Sequence, residues 1–315
     1  MGNPETQTAR IKEEQAMNFL SPFMRSEFSV FGDSATIPSA QLPERASYET
    51  QVVQEAVRQS STTLNPHGKT RFQNMGYWAG GISTLDDAAT ALAKVVAEAA
   101  EFGTDDQILD VGCGFGDQDF LWMEQYSPER LVAVDIDSAH IQTARDTARD
   151  RSVSGSLEFR VASAIALTSL RESFNKVVSL EAAHEFMTRE DFFREAYHVL
   201  APAGRLVTTD ILPLPGQRVQ HFTMHPANNY SRIVYAEKLR DAGFVNVKIR
   251  SIRDLVLKPF TKYMETLSNA RGLGGKLRMF KRRRLSSQLD YVLATADKPA
   301  PLASPAELRC PMGSF

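Results

Sequence analysis

Of all stretches in this chain, Ile108 to Asp117, reading ILDVGCGFGD, most narrows what it can fold into. Ile108, Leu109 and Val111 suit a buried strand, and Gly112, Gly114 and Gly116 follow at once, where a strand must turn into a helix. Without a Cβ, Gly112 can take the tight bend, Gly114 lets backbone N–H groups approach a ligand, and Gly116 lets the next helix pack on the sheet. The spacing is G-x-G-x-G, not the G-x-G-x-x-G of a dinucleotide-binding turn. Asp110 inside the strand would repel a pyrophosphate and attract an ammonium group, so the turn favours a partly cationic ligand.

The rest of the pattern is built around that turn. A helix capped by Ser83, with Asp86 three residues on, leads into the strand at Ile108. Beyond the turn a crossover helix begins at Asp119, Leu131 to Asp135 forms a second buried strand, and Ser138 caps the next helix. Leu157 to Val161 and Lys176 to Leu180 read as the third and fourth strands. Thr188 starts a helix that runs to Leu200, and Gly204 turns the chain into a fifth strand, Leu206 to Ile211. After an irregular insertion between Leu212 and Ser231 come helix 231–242 and a sixth strand, Val245 to Ile249; a basic helix then precedes a seventh strand, Leu289 to Ala294, which suggests an antiparallel edge pair. Strands alternating with helices over short loops imply right-handed crossovers and a mostly parallel sheet covered on both faces. The expected fold class is therefore α/β, a seven-stranded Rossmann-like sheet.

Residues 1–76 read as an N-terminal helical cap or oligomerisation segment, with Phe19, Phe23, Phe28 and Phe31 in its apolar part. Residues 77–298 form the core, with a Pro- and His-containing lid insertion at 212–231, and 299–315 a loose tail. Lys and Arg total 36 against 38 Asp and Glu, a net charge of −2, so no global field draws the chain to nucleic acid. Cys113 and Cys310 are too few for a disulfide framework, and no long apolar run is present, which points to a cytoplasmic protein without a membrane span. The uncovered apolar N-terminus leads us to expect a homo-oligomer.

Asp135 ends the second strand about twenty residues after the turn, where an acid accepts hydrogen bonds from ribose hydroxyls. Ser163 and Ala164 follow the third strand, at the carboxyl edge where an adenine would lie. On ILDVGCGFGD, VAVDID, SLEAAHEF, GRLVTTDILP and LRDAGF, the chain resembles the class I S-adenosylmethionine-dependent methyltransferases from residue 74 to about 298. NMGYW, GDQDFLWME, TREDFFREAYHVLAPAGRLVTTDILP and LDYVLATADKP look like the small-molecule branch that includes erythromycin-type macrolide sugar 3-O-methyltransferases. The resemblance implies that Asp110 and the turn from Gly112 to Gly116, Gly114 included, hold the methionine part, Asp135 the ribose and Ile136 the adenine face, with Tyr77 closing over the cofactor. Ser163 stands where the family usually has Asp. Gln118 and Glu181 complete the expected cofactor set. S-adenosylmethionine itself, a sulfonium with an ammonium, a carboxylate and an adenosine, suits an acid beside a turn rich in N–H donors.

His184 and Glu185 follow the fourth strand and Asp210 ends the fifth, so all three face one crevice. His184 can take a proton from a hydroxyl while Asp210 supports the imidazolium. By resemblance the family's His aligns better with Glu185, so the base has either moved one residue or become a carboxylate. The resemblance and His184 favour O-methylation of a macrolide- or glycoside-like hydroxyl on a bulky apolar natural product. Glu185, the Phe-rich N-terminus and the basic run Lys276 to Arg284 favour the alternative, C-methylation of an isoprenoid or prenyl diphosphate through a carbocation, with or without cyclisation. Magnesium would join only for a diphosphate. His221 and His225 lie four apart among prolines, a poor metal pair, and no resident metal is expected.

Overall fold

The computed structural model describes residues 68–153, 155–219, 224, 226–270 and 286–301. The expected N-terminal cap before residue 68, the basic run 276–284, His221, His225 and the tail past 301 lie outside the described residues.

Seven strands form one sheet: β1 (Gln107–Val111), β2 (Arg130–Asp135), β3 (Leu157–Val161), β4 (Phe174–Leu180), β5 (Leu200–Pro213), β6 (Val245–Ser251) and β7 (Leu289–Asp297). Their order is β3-β2-β1-β4-β5-β7-β6. The first five run parallel, and β7 inserts antiparallel between β5 and β6. The sheet order turns back at β1, next to β4, so a crevice opens past the carboxyl ends of those strands. That places the turn after β1, the end of β2 and the segment after β4 around one ligand-sized space.

Helices α1 (Leu85–Ala100), α2 (Asp117–Tyr126), α3 (Ser138–Asp150), α4 (Arg189–Val199), α5 (Arg232–Asp241) and α6 (Leu257–Ala270) cover the two faces. Leu92, Val96, Trp122 and Ile141 pack with Ile108 on one face, whereas Phe192, Phe193, Tyr235 and Leu239 pack with Leu109 and Val111 on the other. β1 therefore has no solvent face, which is why its sequence reads as a near-continuous apolar run with one acid.

Three local expectations are corrected. Thr84, not Ser83, caps α1 and accepts the Asp87 N–H at 3.2 Å. Asp86 is instead drawn to the preceding chain, where it accepts the Lys69 N–H at 2.8 Å. Asp137, rather than Ser138, caps α3 through the Ala139 N–H at 2.7 Å. Gly204 does not start β5. It lies inside the strand after Ala203 (φ 61°), at a register shift opposite Phe174 to Lys176, and a Cβ there would sit 2.8 Å from the Ala201 carbonyl. A bulge glycine reads as a turn when only the sequence is known. The sequence also gave no sign of α6 as a separate helix ahead of the basic run.

Candidate active site

The turn after β1 takes the left-handed backbone that its glycines permit, at Gly112, Gly114 and Gly116. Gly112 has φ 82°, and a Cβ there would meet the Ala182 Cβ at 2.4 Å. Its N–H and that of Cys113 both reach back to the Val134 carbonyl, at 2.8 and 3.1 Å, which binds the turn to the end of β2. Asp135, next along β2, accepts the Gly114 N–H at 2.9 Å and the Asp137 N–H at 2.8 Å. The donor that sequence reasoning left for a ligand is thus already used to fix Asp135. Ile136 beside it is 74% exposed, an apolar side chain standing in solvent past the strand ends. Ser163 and the buried Ala164 follow β3, with Ser163 Oγ within 3.4 Å of the Ile165 N–H.

Asp110 lies beneath the turn at 0% exposure. Gln118 donates Nε2–H to Asp110 Oδ2 and to the Cys113 carbonyl, both at 2.9 Å, so the Gln118 amide braces the turn from below. Burial lifts the Asp110 carboxyl to about 7. Sealed from solvent, it reaches a bound cation through its field rather than by contact.

A strap, residues 69–78, crosses over the turn. The Arg71 N–H donates to Asp117 Oδ1 at 3.0 Å, and the Gln73 side chain rests on Gly114. The Met75 N–H donates to Glu181 Oε2 at 2.9 Å, and Tyr291 donates its hydroxyl to the same oxygen at 2.6 Å. Tyr77 and Trp78 are anchored through their N–H groups to the Ala88 and Leu255 carbonyls, each at 2.7 Å. Glu181 adopts φ 57°, a left-handed backbone that a non-glycine residue takes only under constraint. Burial pushes its carboxyl to about 8. Glu181, expected among the cofactor residues, is therefore the acid that pins the strap to the sheet.

His184 is buried, with Nδ1 3.6 Å from Asp210 Oδ1 and Nε2 3.7 Å from Glu185 Oε1. Burial holds its imidazole below the ordinary value, so it is neutral at physiological pH. Glu185 faces outward, its side chain 60% exposed. Asp210 has a nearer partner that the sequence reading missed: Arg189 donates Nε–H to Asp210 Oδ2 at 2.7 Å and Nη2–H to Oδ1 at 3.1 Å. Arg189 also donates to the carbonyls of Ile211 at 2.7 Å and Asn228 at 2.5 Å. Asn228, from the irregular segment after β5, returns a bond to the Phe186 carbonyl at 2.9 Å and so ties that segment to the one carrying His184. A signal was available, because a cation in the first turn of a helix opposes the macrodipole and is explained by a buried counter-charge.

Beyond this crevice a cleft of about 410 Å³ opens at the carboxyl ends of β5 and β6, lined by Leu214, Arg232, Ser251, Arg253, Asp254 and Asp290 among others. Among the described residues no three His, Cys, Asp or Glu side chains gather as a metal site, and no helix is long and apolar enough to cross a membrane.

The family profile described as a methyltransferase domain matches residues 109–208, from the first strand through β5. The erythromycin 3''-O-methyltransferase of Saccharopolyspora erythraea is 37% identical over 254 residues, covering 72% of this chain and 83% of that protein. The chain belongs to the class I S-adenosylmethionine-dependent methyltransferases. Two further comparisons show lower identity. The 27-O-demethylrifamycin SV methyltransferase of Amycolatopsis mediterranei is 27% identical, over 71% of this chain and 89% of that one. A geranyl diphosphate methyltransferase, solved with geranyl diphosphate and sinefungin, superposes with a TM-score of 0.63 at 19% identity, covering 78% of this methyltransferase and 99% of its own chain. At that identity the likeness concerns the fold. The methyltransferase's cofactor is thus S-adenosylmethionine, and the site fits it: a left-handed glycine turn, a buried carboxylate beneath a cation's position, and an exposed apolar Ile136 beside Asp135.

Proposed function

We propose that this methyltransferase O-methylates a hydroxyl of a bulky glycosylated natural product, macrolide- or glycoside-like, with His184 as general base. One observation carries the choice of oxygen: a buried imidazole after β4, held below its ordinary value by burial, with Nε2 3.7 Å from the exposed Glu185 carboxylate and Nδ1 facing Asp210. The similarity to two natural-product O-methyltransferases supports the same reading. When bound, S-adenosylmethionine supplies an electrophilic methyl group on a sulfonium.

In this reading Asp135 accepts the ribose hydroxyls, Ile136 lies against the adenine with Ser163 and Ala164 at its edge, and Gly112 and Gly114 shape the turn for the amino-acid end. Tyr77 closes over the cofactor from the strap that Glu181 holds down. His184 accepts the acceptor hydroxyl's proton as oxygen attacks, a role worth about 10²- to 10⁴-fold in rate. Asp210, locked by Arg189, faces Nδ1 and supports the imidazolium that results. Positioning supplies most of the remaining acceleration, since methyl transfer needs little beyond an aligned nucleophile. The cleft near β6 offers carboxylates, a serine hydroxyl and guanidinium groups beside Leu214 and Ile252, a lining suited to the hydroxyl-rich face and apolar edge of a sugar.

The carbon-methylating alternative needs Glu185 next to a dry cationic intermediate, and its 60% exposure argues against that role. A magnesium ion would enter only with a diphosphate substrate. A homo-oligomer in the cytoplasm completes the proposal, and sedimentation would read the oligomer directly.

The experiment is methyl transfer from labelled S-adenosylmethionine to a macrolactone bearing a neutral deoxysugar, with geranyl diphosphate offered in parallel. Label on a sugar oxygen supports the proposal. Label only in the prenyl chain overturns it in favour of the alternative, and Asp135→Ala should weaken S-adenosylhomocysteine binding at least tenfold.

A further inference from the structure

The start of α2 holds a second buried acid that the reading above does not use. Asp119, like Asp110, is 0% exposed. Asp110 Oδ1 and both Asp119 oxygens are sealed from solvent and have no well-formed hydrogen bond. The Gln118 amide is spent on Asp110 Oδ2 and the Cys113 carbonyl. Among the described residues no Lys, Arg or His nitrogen pairs with either carboxyl, which sets them apart from Asp210 and its Arg189. The two carboxyls are close enough to act on each other's ionisation, and a hydrogen bond from one to the other would require a proton.

Two neighbouring carboxyls in a sealed, cation-free space do not both ionise, because desolvation and mutual repulsion act together. Burial first, and then the charge on Asp110, push Asp119 well above the carboxylate range. The titratable groups facing the pair are Cys113 from the turn, Asp117 from α2 and Asp135 from β2. All are acids, and none supplies a positive charge. The pair lies directly under the turn on which a cation is to be bound.

We propose that Asp119 is a positioning residue for the cofactor: Asp110 and Asp119 hold one proton between them in the ligand-free protein, and the cofactor's cation takes that proton's place as counter-charge. The step is an acid dissociation, in which the Asp119 O–H bond breaks, its electron pair stays on the carboxylate, and the proton goes to solvent. Asp119, raised further than Asp110, is the group that keeps the proton, and Asp110 is held by the Gln118 amide on Oδ2. Cofactor affinity therefore rises with pH while the pair still holds its proton, by up to about tenfold per pH unit for one full proton released. This inference rests on the reading that S-adenosylmethionine binds over this turn.

The test is calorimetric titration of the full chain with S-adenosylhomocysteine at about pH 7, below the range where its own amino group titrates, in phosphate and in Tris. A binding enthalpy that differs between the buffers measures protons released. Wild type should release a substantial fraction of one proton. Asp119→Asn, which keeps a donor toward Asp110 and has no proton to lose, should release none, and its dissociation constant should lose the pH dependence of the wild type. Infrared difference spectra of the unmutated protein give a second readout, in which the carbonyl stretch of a protonated carboxyl should disappear on binding. Binding without buffer dependence, equal release from Asp119→Asn, or an unchanged carbonyl band would overturn the proposal alone. No binding by wild type would overturn the underlying cofactor reading as well.

Discussion

Arg189 and Asp210 form a fully buried ion pair in which two guanidinium nitrogens face two carboxylate oxygens, at 2.7 and 3.1 Å. The pair sets the position of the carboxylate that faces His184, and it joins the start of α4 to the end of β5. Arg189→Met leaves Asp210 buried without a counter-charge, so unfolding free energy should fall by about 3–5 kcal/mol. Urea denaturation measures this. Because well-packed apolar pairs replace buried ion pairs at little cost, Arg189→Met combined with Asp210→Leu should recover most of the stability while activity stays low.

His184→Ala should reduce turnover by about 10²- to 10⁴-fold while S-adenosylhomocysteine still binds, since the imidazole is assigned to the acceptor's proton and not to the cofactor. For wild type, the rate should climb with pH through a value below the ordinary 6.5 and then level off. The stability sign runs the same way. Burial depresses the folded imidazole, so the unfolded chain binds the proton first, and stability present above 6.5 is lost as pH falls toward the folded value. A rate profile that keeps rising well above neutrality would reject His184 as the base.

Glu181 carries the opposite dependence. Its carboxyl titrates near 8 in the folded chain against an ordinary 4.5, so the folded state holds a proton that the unfolded state has lost. Its contribution to stability is full below 4.5 and is lost as pH rises through 8. Glu181→Gln should flatten the change in urea midpoint between those limits. Unchanged slopes in the two proteins would show that Glu181 is ionised as the chain stands.

Gly112→Ala should abolish cofactor binding. A left-handed backbone costs a non-glycine residue about 1–3 kcal/mol, and the new methyl would stand 2.4 Å from the Ala182 Cβ, which belongs to the segment leading to His184. Equilibrium binding of S-adenosylhomocysteine, with a melting curve to separate local from global damage, checks it. Gly155, where a Cβ meets nothing within 4 Å and the backbone is not left-handed, is the control position, and Gly155→Ala should bind normally.

Much of this was legible in the amino-acid order, and the reason is local. The five parallel strands and the turn after Val111 are written in short apolar runs and glycine spacing, which depend on neighbours along the chain. Thr188 was found as a helix start because its cap bond to the Asp191 N–H spans three residues. The site's braces were not legible. Arg189 finds Asp210 across 21 residues, and Glu181 finds Met75 across 106 and Tyr291 across 110. No periodicity records such pairings. Gln118 shows a subtler limit: its place after the glycine turn drew it into the cofactor set, whereas its amide is turned inward to Asp110.

The placement of β7 has a consequence for how the protein is made. Tyr291 belongs to the last strand, yet its hydroxyl completes the clamp on Met75 near the first described residues, and β7 lies between β5 and β6. A nascent chain emerging from the ribosome can build β1 to β4 early but cannot finish the sheet or fasten its cofactor cover until residues up to Asp297 have followed. Premature stops anywhere in that stretch should therefore yield polypeptides that are aggregation-prone as well as inactive, with β5 left as an open edge for other chains to pair with.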